Sequence, residues 1–181
     1  MQHPYSYKLI GSLSQSLLEE LKIIAPEQEY FTVPDFHSNV IKVSKSRRQL
    51  AENYQNIINK VYTELEKFFN SEGNLQTNFA CMYPNTYLVE HADYNAVNYG
   101  SMQDDIIKIQ IPIITNDKVA AMWRTGEDND LKSIVAQLVE GGIYVFNNVQ
   151  VHSAINLSNQ NRYYLTIRFK KDAVLDYSIL E

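Results

Sequence analysis

Four side chains in this sequence have the types and the spacing to build a reactive centre. His91 and Asp93 stand two residues apart, just after the apolar run Tyr87-Leu88-Val89. His152 follows Asp93 by 59 residues, beyond the apolar run Gly142-Ile143-Tyr144-Val145-Phe146, and Arg162 comes ten residues later. Alternation along a strand puts residues i and i+2 on one face, so His91 and Asp93 can point together, and a later strand can bring His152 alongside. Two imidazoles and one carboxylate on one face of an octahedron leave three positions open, which is the facial triad of non-haem Fe(II) oxygenases. Arg162 opens the run Tyr163-Tyr164-Leu165-Thr166-Ile167. A buried arginine needs an anionic partner, and its planar fork suits a carboxylate, so Arg162 is read as the clamp for an anionic cosubstrate. The competing reading makes both histidines ordinary sheet residues and Asp93 a turn residue, since a histidine and an aspartate at this spacing also arise by chance. Against it, the chain has 4 histidines in all and two of them fall here, each closing or interrupting an apolar run.

The elements that must position these groups are bounded first by composition. A chain of 181 residues with 45% apolar and 20% charged residues is expected to form one domain with a sizeable core. The net charge of −5 argues against nucleic acid as a partner. The basic clusters Lys45-Ser46-Arg47-Arg48 and Lys170-Lys171 read as solvated surface. Cys81 is the single cysteine, so no intrachain disulfide can form, and it reads as a buried inert thiol within Phe79-Ala80-Cys81-Met82-Tyr83. The sequence shows no signal-peptide pattern and no apolar stretch near the ~18 residues of a membrane span. A cytoplasmic location is the default expectation. Thirteen tyrosines suit half-buried sheet surfaces or a polar pocket.

Taken in order, Tyr5 to Ile10 reads as an edge strand. Ser12-Leu13-Ser14-Gln15 has the form of a capping box, and Leu13, Leu17, Leu18, Leu21 and Ile24 follow at helical spacing. Pro26 is expected to end that helix near Ala25. Phe31-Thr32-Val33 and Asn39 to Val43 read as short strands, with His37 in the loop between them. Residues 45–70 are predicted to form a long helix, its stripe running from Leu50 to Phe69 and its end marked by Gly73. From residue 75, short apolar runs alternate with turn signals: 79–83, 87–90, 106–115, 119–123, 134–139, 142–146, 150–155 and 162–169. This pattern predicts an antiparallel sandwich or barrel, although Leu131 to Leu138 also fits a short helical turn. The expected architecture is mainly β, with N-terminal helical support over 1–74 and a jelly-roll, cupin-like barrel over 75–181. Trp123 reads as sheet packing and Arg124 as a surface ion pair. Asn95 and Asn98 read as loop residues that could also reach a substrate. Arg168 shares a face with Arg162 by strict alternation, and the spacing from His152 favours Arg162 as the clamp.

The segments Tyr83-Pro84-Asn85-Thr86-Tyr87-Leu88-Val89-Glu90-His91-Ala92-Asp93, Ile111-Pro112-Ile113-Ile114-Thr115-Asn116, Gly141 to Asn156 and Ser158-Asn159-Gln160-Asn161-Arg162 resemble the aspartyl/asparaginyl β-hydroxylase-like family. The resemblance covers roughly residues 79–169. It implies a double-stranded β-helix that uses Fe(II), 2-oxoglutarate and O2 to hydroxylate an amino acid, a peptidyl residue or a related small molecule. It further implies Fe(II) at His91, Asp93 and His152, and the distal carboxylate of 2-oxoglutarate at Arg162, with Lys108 and Gln110 as polar groups near the cosubstrate. The turn at Asn147-Asn148 departs from the acidic residues common there in the family. Two other readings remain at this point: a catalytically silent barrel that binds a metal or small acid, and a zinc or manganese cupin-like isomerase or hydrolase. Neither membrane nor nucleic acid is an expected partner, and the sequence does not specify an oligomeric state.

Overall fold

The computed structural model describes residues 5–28, 30–32, 41–44, 52–92, 106–126, 132–147 and 149–181. Asp93, His37, Asn95, Asn98, Asn148 and the basic cluster at 45–48 lie outside these residues. Among the described residues the chain is mainly β, with two α-helices, Gln15–Ile24 (α1) and Glu52–Leu65 (α2). Eleven strands form two antiparallel sheets. They are β1 (Tyr7–Ser12), β2 (Tyr30–Thr32), β3 (Ile41–Ser44), β4 (Asn74–Met82), β5 (Thr86–His91) and β6 (Ile106–Ile114), then β7 (Val119–Thr125), β8 (Lys132–Ala136), β9 (Gly142–Phe146), β10 (His152–Asn156) and β11 (Arg162–Lys170). The larger sheet runs β1-β9-β6-β11-β4-β3-β2 and the smaller β5-β10-β7-β8.

Period-2 alternation divides the larger sheet into two chemically different faces. Ile107, Ile109 and Ile111 of β6, Leu165 and Ile167 of β11 and Val145 of β9 join the core under the helices. Leu17, Leu21, Ile58, Val61 and Leu65 supply the helical side of that core, and all are buried. Deleting such a side chain to alanine costs ~2–5 kcal/mol, so this layer holds the sheet rigid. The opposite face meets the smaller sheet. Ala80, Met82 and Tyr164 pack there against Leu88 and Ala154, while Tyr144 and Phe146 pack against Ala121, Trp123 and Ala136. The site lies between these two inner faces.

Several elements differ from the sequence expectation. The first helix begins after Ser14, which makes no side-chain cap of its own. Ser12 belongs to β1, so no capping box forms. Glu64 of α2 instead accepts from the Ser14 backbone N–H at 2.8 Å and from its hydroxyl. The second helix ends at Leu65, short of the expected residue 70. Phe69 leaves the helix to bridge Val174 and stack on Phe169, with ring centroids 4.5 Å apart, a long-range contact that helical spacing does not reveal. Gly73 therefore closes a short 3-10 turn leading into β4. Residues 132–136 form a strand, so of the two readings open for this segment the strand holds. The N-terminal strands follow the sequence expectation: β1 pairs with β9 at one edge of the sheet, and β3 pairs with β4.

Candidate metal centre and cosubstrate site

His91 ends β5 and His152 begins β10, and the antiparallel register places them directly opposite one another. Their ring centroids are 4.4 Å apart. A β-bulge makes this possible. His152 faces His91 and Ala154 faces Leu88, so three residues of β5 advance against two of β10. The extra residue leaves Val89 and Glu90 on the exposed side and turns His91 to the inner face with Leu88. Bulges re-aim side chains in this way beside active sites.

The two imidazoles are held alike. His91 Nδ1 lies 2.9 Å from the Val89 carbonyl, and His152 Nδ1 lies 2.9 Å from the Gln150 carbonyl. A ring nitrogen facing a carbonyl oxygen carries the proton, so each Nε2 presents its lone pair. That is the tautomer of a metal-ligating histidine whose other nitrogen donates to the backbone. Among the described residues no group of three His, Cys, Asp or Glu side chains converges. The described part of the site is the histidine pair.

Arg162 begins β11 opposite Met82 of β4 and is 3% exposed. Its guanidinium carbon lies 4.7 Å from the centroid of the Tyr164 ring. Its Nε is buried without a hydrogen-bond partner. Burial lowers its pKa, an effect the neighbouring Tyr164 opposes. A cation so enclosed is costly without an anion, and its planar fork suits a carboxylate. Tyr164 in turn packs on Leu88 and Ala154, the row next to the histidines, so Arg162 and the histidine pair stand at two ends of one interior column.

Gln110 and Lys108 also face the interior, opposite Thr166 and Arg168 of β11; Gln110 is buried and Lys108 half-buried. Arg168 shares the face of Arg162, as alternation requires, but is half-buried and donates to Gln76 Oε1 at 3.1 Å. Trp123 is 1% exposed, pairs in register with His152 and stacks on Tyr7 at 4.9 Å, as its packing reading expects. Arg124 forms an ion pair with Glu90 at the surface, and Cys81 is buried. Asn147 is buried and accepts from the Gln150 N–H at 3.3 Å, fixing the turn before His152.

Three features escaped the sequence reading. Asn78 Oδ1 and Trp123 Nε1 are buried without partners, like Arg162 Nε. Asn156 is fully buried and donates to the carbonyls of Met82, Tyr83 and Gln160, while its Oδ1 accepts from the Ser158 N–H and hydroxyl.

The fold is that of the 2-oxoglutarate-dependent oxygenases. The chain is similar to the non-haem alpha-ketoglutarate-dependent epimerase SnoN from nogalamycin biosynthesis, with a TM-score of 0.67 and 12% identity over 91% of this chain and 78% of that one. HygX from Streptomyces hygroscopicus, solved with nickel, 2-oxoglutarate and hygromycin B bound, gives a TM-score of 0.62 and 9% identity over 91% and 82%. A Pseudomonas putida prolyl-4-hydroxylase gives 0.60 and 14% over 93% and 94%. No curated protein matches the sequence. The family model described as Aspartyl/Asparaginyl beta-hydroxylase matches residues 31–172, most of the chain, and the protein belongs to that family. It is a 2-oxoglutarate-dependent non-haem iron oxygenase.

Proposed function

We propose that His91, Asp93 and His152 hold the Fe(II) of this oxygenase, that Arg162 binds the distal carboxylate of 2-oxoglutarate, and that the substrate is an amino acid, a peptidyl residue or a related small molecule. The observation that carries this reading is the buried Arg162, whose Nε has no hydrogen-bond partner, set along one interior column from two histidines whose Nδ1 atoms face backbone carbonyls. When bound, Fe(II) with 2-oxoglutarate and O2 supplies the hydroxylation of an unactivated C–H bond, with 2-oxoglutarate converted to succinate and CO2.

The chain's own residues orient and enclose. The Val89 and Gln150 carbonyls fix the ring planes of the ligands. Arg162, stacked on Tyr164, sets how deep a diacid can enter. Gln110 borders the column between the two ends, and Lys108 lies one row beyond it beside Arg168. Leu88, Ala154, Met82 and Tyr164 keep the column apolar, which strengthens the charge pairing of Arg162 with a carboxylate. The two sheets are read as the halves of a double-stranded β-helix, and residues 1–74 and 75–181 as one cooperative unit in a cytoplasmic protein. Support for one unit comes from the pairing of β1 with β9 and of β3 with β4. No helix among the described residues is long and apolar enough to cross a membrane.

The test is an anaerobic titration of the apoprotein with Fe(II) and 2-oxoglutarate, followed in the visible. A weak charge-transfer band from the chelated keto acid is expected. Iron binding without the band would favour a silent barrel, and no iron binding would remove the triad.

A further inference from the structure

His91 and His152 owe their orientation to two carbonyls, those of Val89 and Gln150. Neither carbonyl sits in a regular stretch of sheet. β5 ends the smaller sheet, with β10 as its neighbour, and the register between the two strands shifts beside His91. A bulge leaves one residue unpaired and interrupts the ladder. Gln150 lies two residues before β10 begins at His152. Ligands of a working metal site are held to within about 0.5 Å, so contacts beyond the ladder are needed to fix these two segments.

Arg124 braces both. It follows Trp123 on β7, so alternation puts its side chain on the outer face of the sheet, away from the histidines. β10 separates β7 from β5, yet Arg124 Nη2 pairs with Glu90 Oε2 across the outer side of β10. The Val89 carbonyl and the Glu90 nitrogen belong to one peptide unit, so this ion pair ties the bulged segment to a second strand. Toward the other histidine, the Arg124 carbonyl accepts from Gln150 Nε2 at 2.8 Å and the Arg124 N–H donates to the Val151 carbonyl at 2.9 Å. Gln150 is thereby fixed at three points: its N–H on Asn147 Oδ1, its side chain on Arg124 and its carbonyl on His152 Nδ1.

We propose that Arg124 is a positioning residue for the metal centre: through Glu90 and Gln150 it holds the two carbonyls that set the imidazole planes, and it tightens metal binding without touching the metal. Outer groups that orient ligand histidines are typically worth ~10–100-fold in metal affinity. An exposed ion pair adds little to the stability of a fold, and the side chains of Arg124 and Glu90 are 44% and 39% exposed. The brace therefore acts on the site more than on the fold. Charge alone has the opposite sign. A cation near a divalent metal repels it, so Arg124 acting only as a charge would weaken binding, and its removal would tighten it. This inference rests on the iron reading above.

The test titrates the full-length apoprotein with Co(II), a redox-stable stand-in for Fe(II), and reads its visible ligand-field absorption. The melting temperature of the metal-free protein is measured alongside. Arg124→Met removes the charge and keeps an apolar stem. It should raise the Co(II) dissociation constant about three- to tenfold, between the two limits just given, and alter the absorption of the bound ion, with the melting temperature almost unchanged. Gln150→Met should weaken binding in the same direction. Exchanging the pair, Glu90→Arg with Arg124→Glu, should restore the wild-type affinity. An unchanged or smaller dissociation constant in Arg124→Met, or a weakened affinity that the exchange does not restore, would overturn the proposal. A matching fall in the melting temperature of metal-free Arg124→Met would overturn it as well, since the loss would then belong to the fold. Absence of Co(II) absorption in the wild type would strike the iron reading, and this inference would fall with it.

Discussion

Replacing Arg162 with methionine should stabilise the ligand-free protein and abolish its response to 2-oxoglutarate. The side chain is 3% exposed, its Nε has no partner, and its guanidinium lies over the Tyr164 ring. An ion kept in such a place costs several kcal/mol after relaxation, and substituting apolar groups for buried charges often gains ~1–4 kcal/mol. A desolvated cation over an aromatic face returns about 2 kcal/mol of that cost. A net gain on the order of 2 kcal/mol is expected for Arg162→Met, or roughly 4–8 °C in melting temperature for a domain of this size. Saturating ligand reverses the order. At a hundred times its dissociation constant, 2-oxoglutarate should stabilise the wild type by about 2.7 kcal/mol and the variant not at all. Differential scanning calorimetry of both proteins, with a redox-inert divalent metal and with or without 2-oxoglutarate, reads all four states. A fall in the melting temperature of the ligand-free variant would mean that Arg162 is a structural cation with an internal partner. Equal stabilisation of both proteins by 2-oxoglutarate would place the clamp elsewhere.

His152→Ala should lose iron binding and the visible band while retaining the far-ultraviolet circular dichroism of the wild type; normal turnover in that variant would exclude His152 from the site. Gly73→Ala would place a Cβ 2.1 Å from the Ala173 Cβ, an overpacking expected to cost about 1–3 kcal/mol in urea denaturation. An unchanged urea midpoint would show that the turn yields freely. The Ser178 hydroxyl and backbone N–H donate to Asp176 and hold its carboxyl below the usual range. Because the folded value lies below the unfolded one, this contribution is full above about pH 4 and is lost as pH falls through the folded value. Wild type and Asp176→Asn should therefore differ in melting temperature at neutral pH and converge in acid, and a constant gap would contradict the assignment.

The sequence made the juxtaposition of His91 and His152 legible because each stood at the border of an apolar run, where a strand meets the end of a sheet. Leu13 to Ile24 was equally readable, since its stripe packs on a sheet that runs almost beneath it in space. What stayed hidden depends on contacts between distant segments. The bulge that turns His91 inward exists only in the pairing of β5 with β10, so simple alternation from Leu88 points the wrong way. Phe68 and Phe69 keep helical spacing, yet Phe69 stacks on Phe169 and the helix ends at Leu65, five residues before the expected end. Lys132 to Ala136 satisfied two periodicities at once, and pairing with β7 settled it as a strand.

Asn156 has a consequence for which molecules can use the site. Strand β10 spans just five residues from His152 to Asn156. At its far end Asn156 ties together the chain leaving β4 and the turn that delivers Arg162. If the proposed assignment holds, the span between the two histidines and Arg162 is thereby a ruler with both ends fixed, and it would measure the carbon count of the diacid. A keto diacid one methylene longer could reach both ends only by buckling its own chain or by breaking the hydrogen bonds of a fully buried amide. The protein should therefore reject 2-oxoadipate while accepting 2-oxoglutarate, and Asn156→Ala should blur that distinction before it removes the fold; equal use of both acids by the wild type would show that the ruler bends.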